Sequence, residues 1–157
     1  MSIKISFKSN ISNKVAKNYV LFCGKNFKIG NIKNFITNTE FLYINDLLKN
    51  NDLKKNLCSF DLSSKKKIIL INLKDNMSSS DVEKLGASFY DFIKKLNLID
   101  IVINSKSVKE KPGKNFIGRF LHGFSLKSYE FTKYKTKKEK KLINIIVIGN
   151  NNKNFIR

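Results

Sequence analysis

Four short apolar runs, Tyr19 to Cys23, Ile68 to Leu73, Ile99 to Ile103 and Leu142 to Ile148, set the terms on which this chain can fold. Each is too short for the roughly 20 residues of a membrane span but suits a strand, one covered on both faces at Tyr19 to Cys23 and a buried one at Ile68 to Leu73. Between the later runs the periodicity changes. Val82, Leu85, Phe89, Phe92, Ile93 and Leu96 recur at three and four residues, which predicts an amphipathic helix over 80–96, opened by Ser80 with Glu83 reaching back as a capping box. Ile117, Phe120, Leu121 and Phe124 predict a second helix, with Asn115 as its cap. Earlier segments read differently. Ile3, Ile5 and Phe7 alternate as a half-buried strand, and Phe27 and Ile29 before Gly30 suggest a hairpin partner for Tyr19 to Cys23. Phe41 to Lys49 fits a short helix, Cys58, Phe60 and Leu62 alternate, and Ser63-Ser64-Lys65 reads as a turn. Antiparallel candidates therefore come first and strand–helix alternation follows. That order predicts an α/β fold, a mixed sheet flanked by helices.

With 157 residues, no Pro/Ser/Gly-rich linker and no repeat, the chain is expected to form a single domain. The N-terminus lacks the basic stretch, apolar run and small-residue cleavage site of a secretory signal, so the expected compartment is the cytoplasm. Cys23 and Cys58, 35 positions apart and with no ligand at metal spacing, read as small buried hydrophobes.

The formal charge of +19, from 31 basic against 12 acidic residues, invites a nucleic-acid reading. Only Arg119 and Arg157 supply the planar fork that reads bases, and the 29 Lys accompany 21 Asn and 20 Ile, the joint excess that an A/T-rich genome produces. The run Lys133, Lys135, Lys137, Lys138, Lys140 and Lys141, interleaved with Tyr129, Phe131 and Tyr134, is either a solvated loop or a possible phosphate-binding surface for DNA. A stand-alone lysine-rich polyanion-binding module is therefore the alternative function. Catalytic groups are sparse. His122 is the single imidazole and has no partner at ligand spacing; no nucleophile elbow or Gly-rich phosphate loop occurs; and Asp61, Asp75, Asp81, Asp91 and Asp100 are scattered. No catalytic, cofactor-binding or metal residue is assigned.

The segment Phe116 to Lys138 carries Gly123, Tyr129, Phe131, Tyr134 and Lys135 in a Gly-x-x-x-x-x-Tyr-x-Phe-x-x-Tyr-Lys pattern, followed by a lysine-rich loop and a strand. In this it resembles the end of the N-terminal domain of the leucyl aminopeptidase (cytosol aminopeptidase) family. Upstream, Ile68 to Leu73 followed by Ser80 to Leu96 looks like that family's strand, loop and helix, with Leu85-Gly86-Ala87 at the place of small residues packing helix on sheet. Asn72 and Lys74 depart from the family's Gly-x-Gly. The resemblance implies a macro-domain-like architecture. It also implies a two-domain, usually hexameric, cytoplasmic exopeptidase whose two divalent metals, zinc or manganese, sit in a C-terminal catalytic domain. Neither catalytic motif of that domain occurs here, so the expectation is an isolated N-terminal domain with an assembly role, partnered by its own catalytic domain and, in some bacterial members, by DNA. An ADP-ribose-binding function, suggested by the macro-like fold alone, is a third possibility.

Overall fold

The computed structural model describes residues 2–8, 17–23, 35–49, 57–63, 66–73, 77–105, 116–133 and 142–148. Along them lie β1 (Ser2–Lys8), β2 (Asn18–Cys23), α1 (Asn38–Lys49), β3 (Leu57–Ser63), β4 (Lys66–Asn72), α2 (Ser79–Lys95), β5 (Asp100–Asn104), α3 (Phe116–Lys133) and β6 (Leu142–Ile148). The strands form one sheet in the order β1-β6-β5-β2-β4-β3. Every neighbouring pair is parallel except β3 with β4, which makes the sheet mixed as expected.

Parallel strands need covering on both faces, and the continuous apolar runs answer that need. Val20, Phe22, Ile69, Ile71, Ile101, Ile103, Ile143, Ile145 and Val147 point to one face, against α2 and α3. Tyr19, Leu21, Cys23, Ile68, Leu70 and Val102 point to the other, where Ile44 and Leu48 of α1 meet them with Cys58 and Phe60 of β3. Each fully buried large apolar side chain contributes roughly 1.5–3 kcal/mol before entropy is charged. The aromatic residues lock the thicker layer. Phe22 meets Phe116 and Phe120 edge-on at 5.3 and 5.4 Å, while Phe89 and Tyr90 of α2 lie against Phe124 of α3.

The two helices of that layer touch through backbone. A Cβ added to Gly86 would lie 1.9 Å from the Phe120 carbonyl oxygen, and one added to Gly123 would lie 2.0 Å from the Glu83 carbonyl oxygen. Reciprocal glycines thus set the α2–α3 spacing. This corrects the expectation for Leu85-Gly86-Ala87: Gly86 packs helix on helix, and Leu85 is the member of that trio in the buried core.

Helix ends follow local chemistry. The cap of α2 is Ser78, whose hydroxyl accepts from the Asp81 amide while Asp81 accepts from the Ser78 amide, so the box lies two residues before the expected Ser80 and Glu83. At its other end Asn97 has φ 57°, the Asn97 amide donates to Lys94 and the Leu98 amide donates to Ile93, a Schellman closure. Leu98 then packs against the core. In α1, the Thr37 hydroxyl accepts from the Glu40 amide at 3.1 Å and Glu40 accepts from the Thr37 amide at 3.0 Å, so this helix starts earlier than the expected Phe41.

Of the early strands β3 and β4 are antiparallel neighbours, but β1 and β2 are not. β1 runs parallel to β6 and β2 lies between β5 and β4, because partners remote in sequence cover them. The proposed hairpin partner Phe27 and Ile29, the turn at Ser64-Lys65 and the cap Asn115 lie outside the described residues.

Candidate functional site

In an open α/β sheet, ligands usually meet the carboxyl ends of the strands where the winding reverses, here between β2 and β5. The residues there are Cys23, Asn72, Asn104 and Ser105, with Ile148 beyond. The Asn104 amide donates to the Tyr19 hydroxyl at 2.6 Å inside the α1-side core, and the Ser105 hydroxyl donates to the Ile148 carbonyl at 2.6 Å. Burial pushes the Tyr19 phenol up, Asn104 pulls it back, and the nearby Glu40 charge raises it again. Cys23 donates to the Ile71 carbonyl, and burial, with a smaller contribution from Cys58, pushes its thiol up to about 12. A thiol in that state is no nucleophile at neutral pH. None of these groups can take a proton and return it near neutrality.

Among the described residues no three His, Cys, Asp or Glu side chains come together as a metal-binding group. His122 is exposed on α3. The described residues therefore do not fit a bimetallic centre. Asn72, which stands at the family's glycine position, is buried at the end of β4, and Lys74 lies outside the described residues. Of the lysine run, Lys133 is the last residue of α3, while Lys135, Lys137, Lys138, Lys140 and Lys141 lie outside the described residues. No helix among the described residues is long and apolar enough to cross a membrane.

The opposite end of the sheet is more polar. An open groove of about 620 Å³ is lined by Lys17, Asn18, Asp61, Ser63, Lys66, Lys67 and Leu98. Lys66 reaches Glu40 at 2.9 Å and Lys67 reaches Asp61 at 3.4 Å. Burial raises the Glu40 carboxyl, but bonds from Thr37 and the Lys66 ammonium outweigh it and hold the group below its ordinary range. Beside the groove, the Asn18 amide donates to the Asp100 carbonyl at 2.7 Å. Sequence reading missed this cluster because its members come from segments up to 81 positions apart. The Thr37-x-x-Glu40 spacing was the one local signal that could have pointed to it.

A comparison with curated proteins returns no match. Among solved structures, a mutant tomato leucine aminopeptidase superposes with a TM-score of 0.60 at 17% identity, over 94% of this chain and 32% of that one. The macrodomain of Thermus aquaticus DarG matches with TM-score 0.60 and 11% identity over 95% of this chain and 100% of its own; that of Mycobacterium tuberculosis DarG matches with 0.61 and 11% over 93% and 98%. At such identities the likeness shows the fold, which is macro-domain-like. The chain spans about a third of the tomato enzyme. Residues 44–138, from the middle of α1 through α3 into the lysine-rich run, match the model of the cytosol aminopeptidase family's N-terminal domain, and on that match the chain belongs to this family.

Proposed function

We propose that this chain is the non-catalytic N-terminal assembly domain of a metal-dependent leucyl aminopeptidase, whose full-length form removes N-terminal amino acids from peptides. In that reading the two divalent metals, zinc or manganese, are held by a C-terminal catalytic domain. The N-terminal domain helps to build a cytoplasmic hexamer and to restrict access to the active sites. The observation that carries it is the family match over residues 44–138, which takes in the whole α2–α3 pair. One further feature supports it: the chain's fold superposes on about a third of a leucine aminopeptidase.

The test is to translate the gene beyond codon 157. A downstream reading frame with carboxylate and lysine metal-ligand motifs is the expected result. A stop codon, with no catalytic domain encoded beside it, contradicts the reading.

The net charge of +19 favours a second reading, a polyanion-binding module. Titration with duplex DNA across a salt series tests it: a steep log–log dependence supports phosphate contact, and absence of association at low salt removes it.

A further inference from the structure

The groove at the amino ends of β2 and β4 and the carboxyl end of β3 is a place where the described structure gathers charge around an accessible hollow. Its volume, about 620 Å³, is in the range that accepts a small ligand. The segments that carry Lys17 and Lys67 meet at its edge, where the Lys67 amide donates to the Lys17 carbonyl at 2.7 Å. Lys66 is committed to Glu40, with both side chains less than one-fifth exposed, so it serves as wall. Lys67 is different. Its partner Asp61 is 76% exposed while Lys67 itself is 21% exposed, and their 3.4 Å separation is long for a charge-assisted bond. The ammonium is held in the wall and the carboxylate stands in water, so the pair is worth little and is easily exchanged.

We infer that this groove binds a phosphate group of a small solute, with Lys17 and Lys67 taking its oxygens and Asp61 acting as the internal anion it displaces. Ser63 and Asn18 set the polar rim, and Leu98 gives an apolar floor beside the charges. The balance of the lining favours an anion: three lysines against Asp61, or against Asp61 and Glu40 when the neighbour of Lys66 is counted. This inference does not rest on the aminopeptidase reading.

The probes are inorganic phosphate and pyrophosphate, titrated into the whole chain at constant ionic strength and followed by amide NMR shifts. Saturable shifts centred on Lys17, Asn18, Ser63 and Lys67 are expected. Lys67→Met and Lys17→Met should each weaken binding about tenfold, the loss of one charge-assisted bond. Asp61→Asn should tighten it about threefold by removing the competing carboxylate. The Asp61→Asn arm keeps the test informative if Lys67→Met unfolds the chain. Shifts that spread over all lysine-bearing surfaces without saturating would overturn the inference, as would an Asp61→Asn variant that binds no better than the parent. A duplex DNA arm that saturates the same amides while phosphate and pyrophosphate do not would assign the groove to nucleic acid and also overturn it.

Discussion

Gly86 and Gly123 set the strictest demands of any single residues here, because each faces a carbonyl oxygen of the other helix with no room for a carbon. Neither carbonyl can yield without moving a helix, so Gly86→Ala or Gly123→Ala should each cost about 3 kcal/mol or more in urea unfolding. A loss under 1 kcal/mol would show that α2 and α3 do not approach this closely. Cys23 and Cys58 make the opposite kind of demand, for inertness. Both are buried, and the Cys23 thiol is pushed up to about 12. Ellman's reagent should find no reactive thiol in the folded chain at pH 8 and two in denaturant. Because the unfolded thiol ionises near 8.5 while the folded one holds its proton, Cys23 should erode stability as pH climbs from about 8.5 toward 12. Glu40 works at the acid side. Its carboxyl is held below the ordinary range, so the stability it lends is present at neutral pH and is lost as pH falls through its folded-state value. Glu40→Gln should cost about 1 kcal/mol at pH 7, from cap and ion pair together, and the gap should close in acid.

At the level of elements, what the sequence revealed depended on whether the deciding interaction was local. The helix at 79–95 was readable because six apolar positions recur on one stripe, and five of them are now in or against the core. Its start was misplaced because three consecutive serines, Ser78, Ser79 and Ser80, all satisfy a capping rule, and only the geometry selects Ser78 with Asp81. Its end was readable in principle from Asn97, whose φ of 57° suits a Schellman closure. Asn97→Gly should be neutral or slightly stabilising in thermal unfolding, whereas Asn97→Val should lower stability by about 1 kcal/mol or more. Strand partners were a different matter. The alternation in β1 announces one covered face, but nothing near Ile3 or Phe7 names β6, whose residues lie about 140 positions away. The groove beside the amino ends of β2 and β4 was hidden for the same reason. Lys17, Asp61 and Lys67 are ordinary polar residues until the sheet order sets β2, β4 and β3 side by side.

For the whole molecule, the sheet order has a functional consequence. Five of six strands run parallel, their faces are closed by helices, and the buried side chains at the carboxyl ends of β2, β4, β5 and β6 are a thiol, two amides and an isoleucine. Membership of the cytosol aminopeptidase family then poses a sharp question, because the family's name describes a peptide-cleaving activity and this domain shows no described side-chain constellation able to perform it. In the proposed function the fold serves assembly and cleavage belongs to a separate catalytic domain. The most direct measurement is hydrolysis of a leucyl peptide by the purified chain with manganese or zinc added. No turnover above the metal-only blank is predicted, and turnover that stays with the protein through repurification would contradict the account.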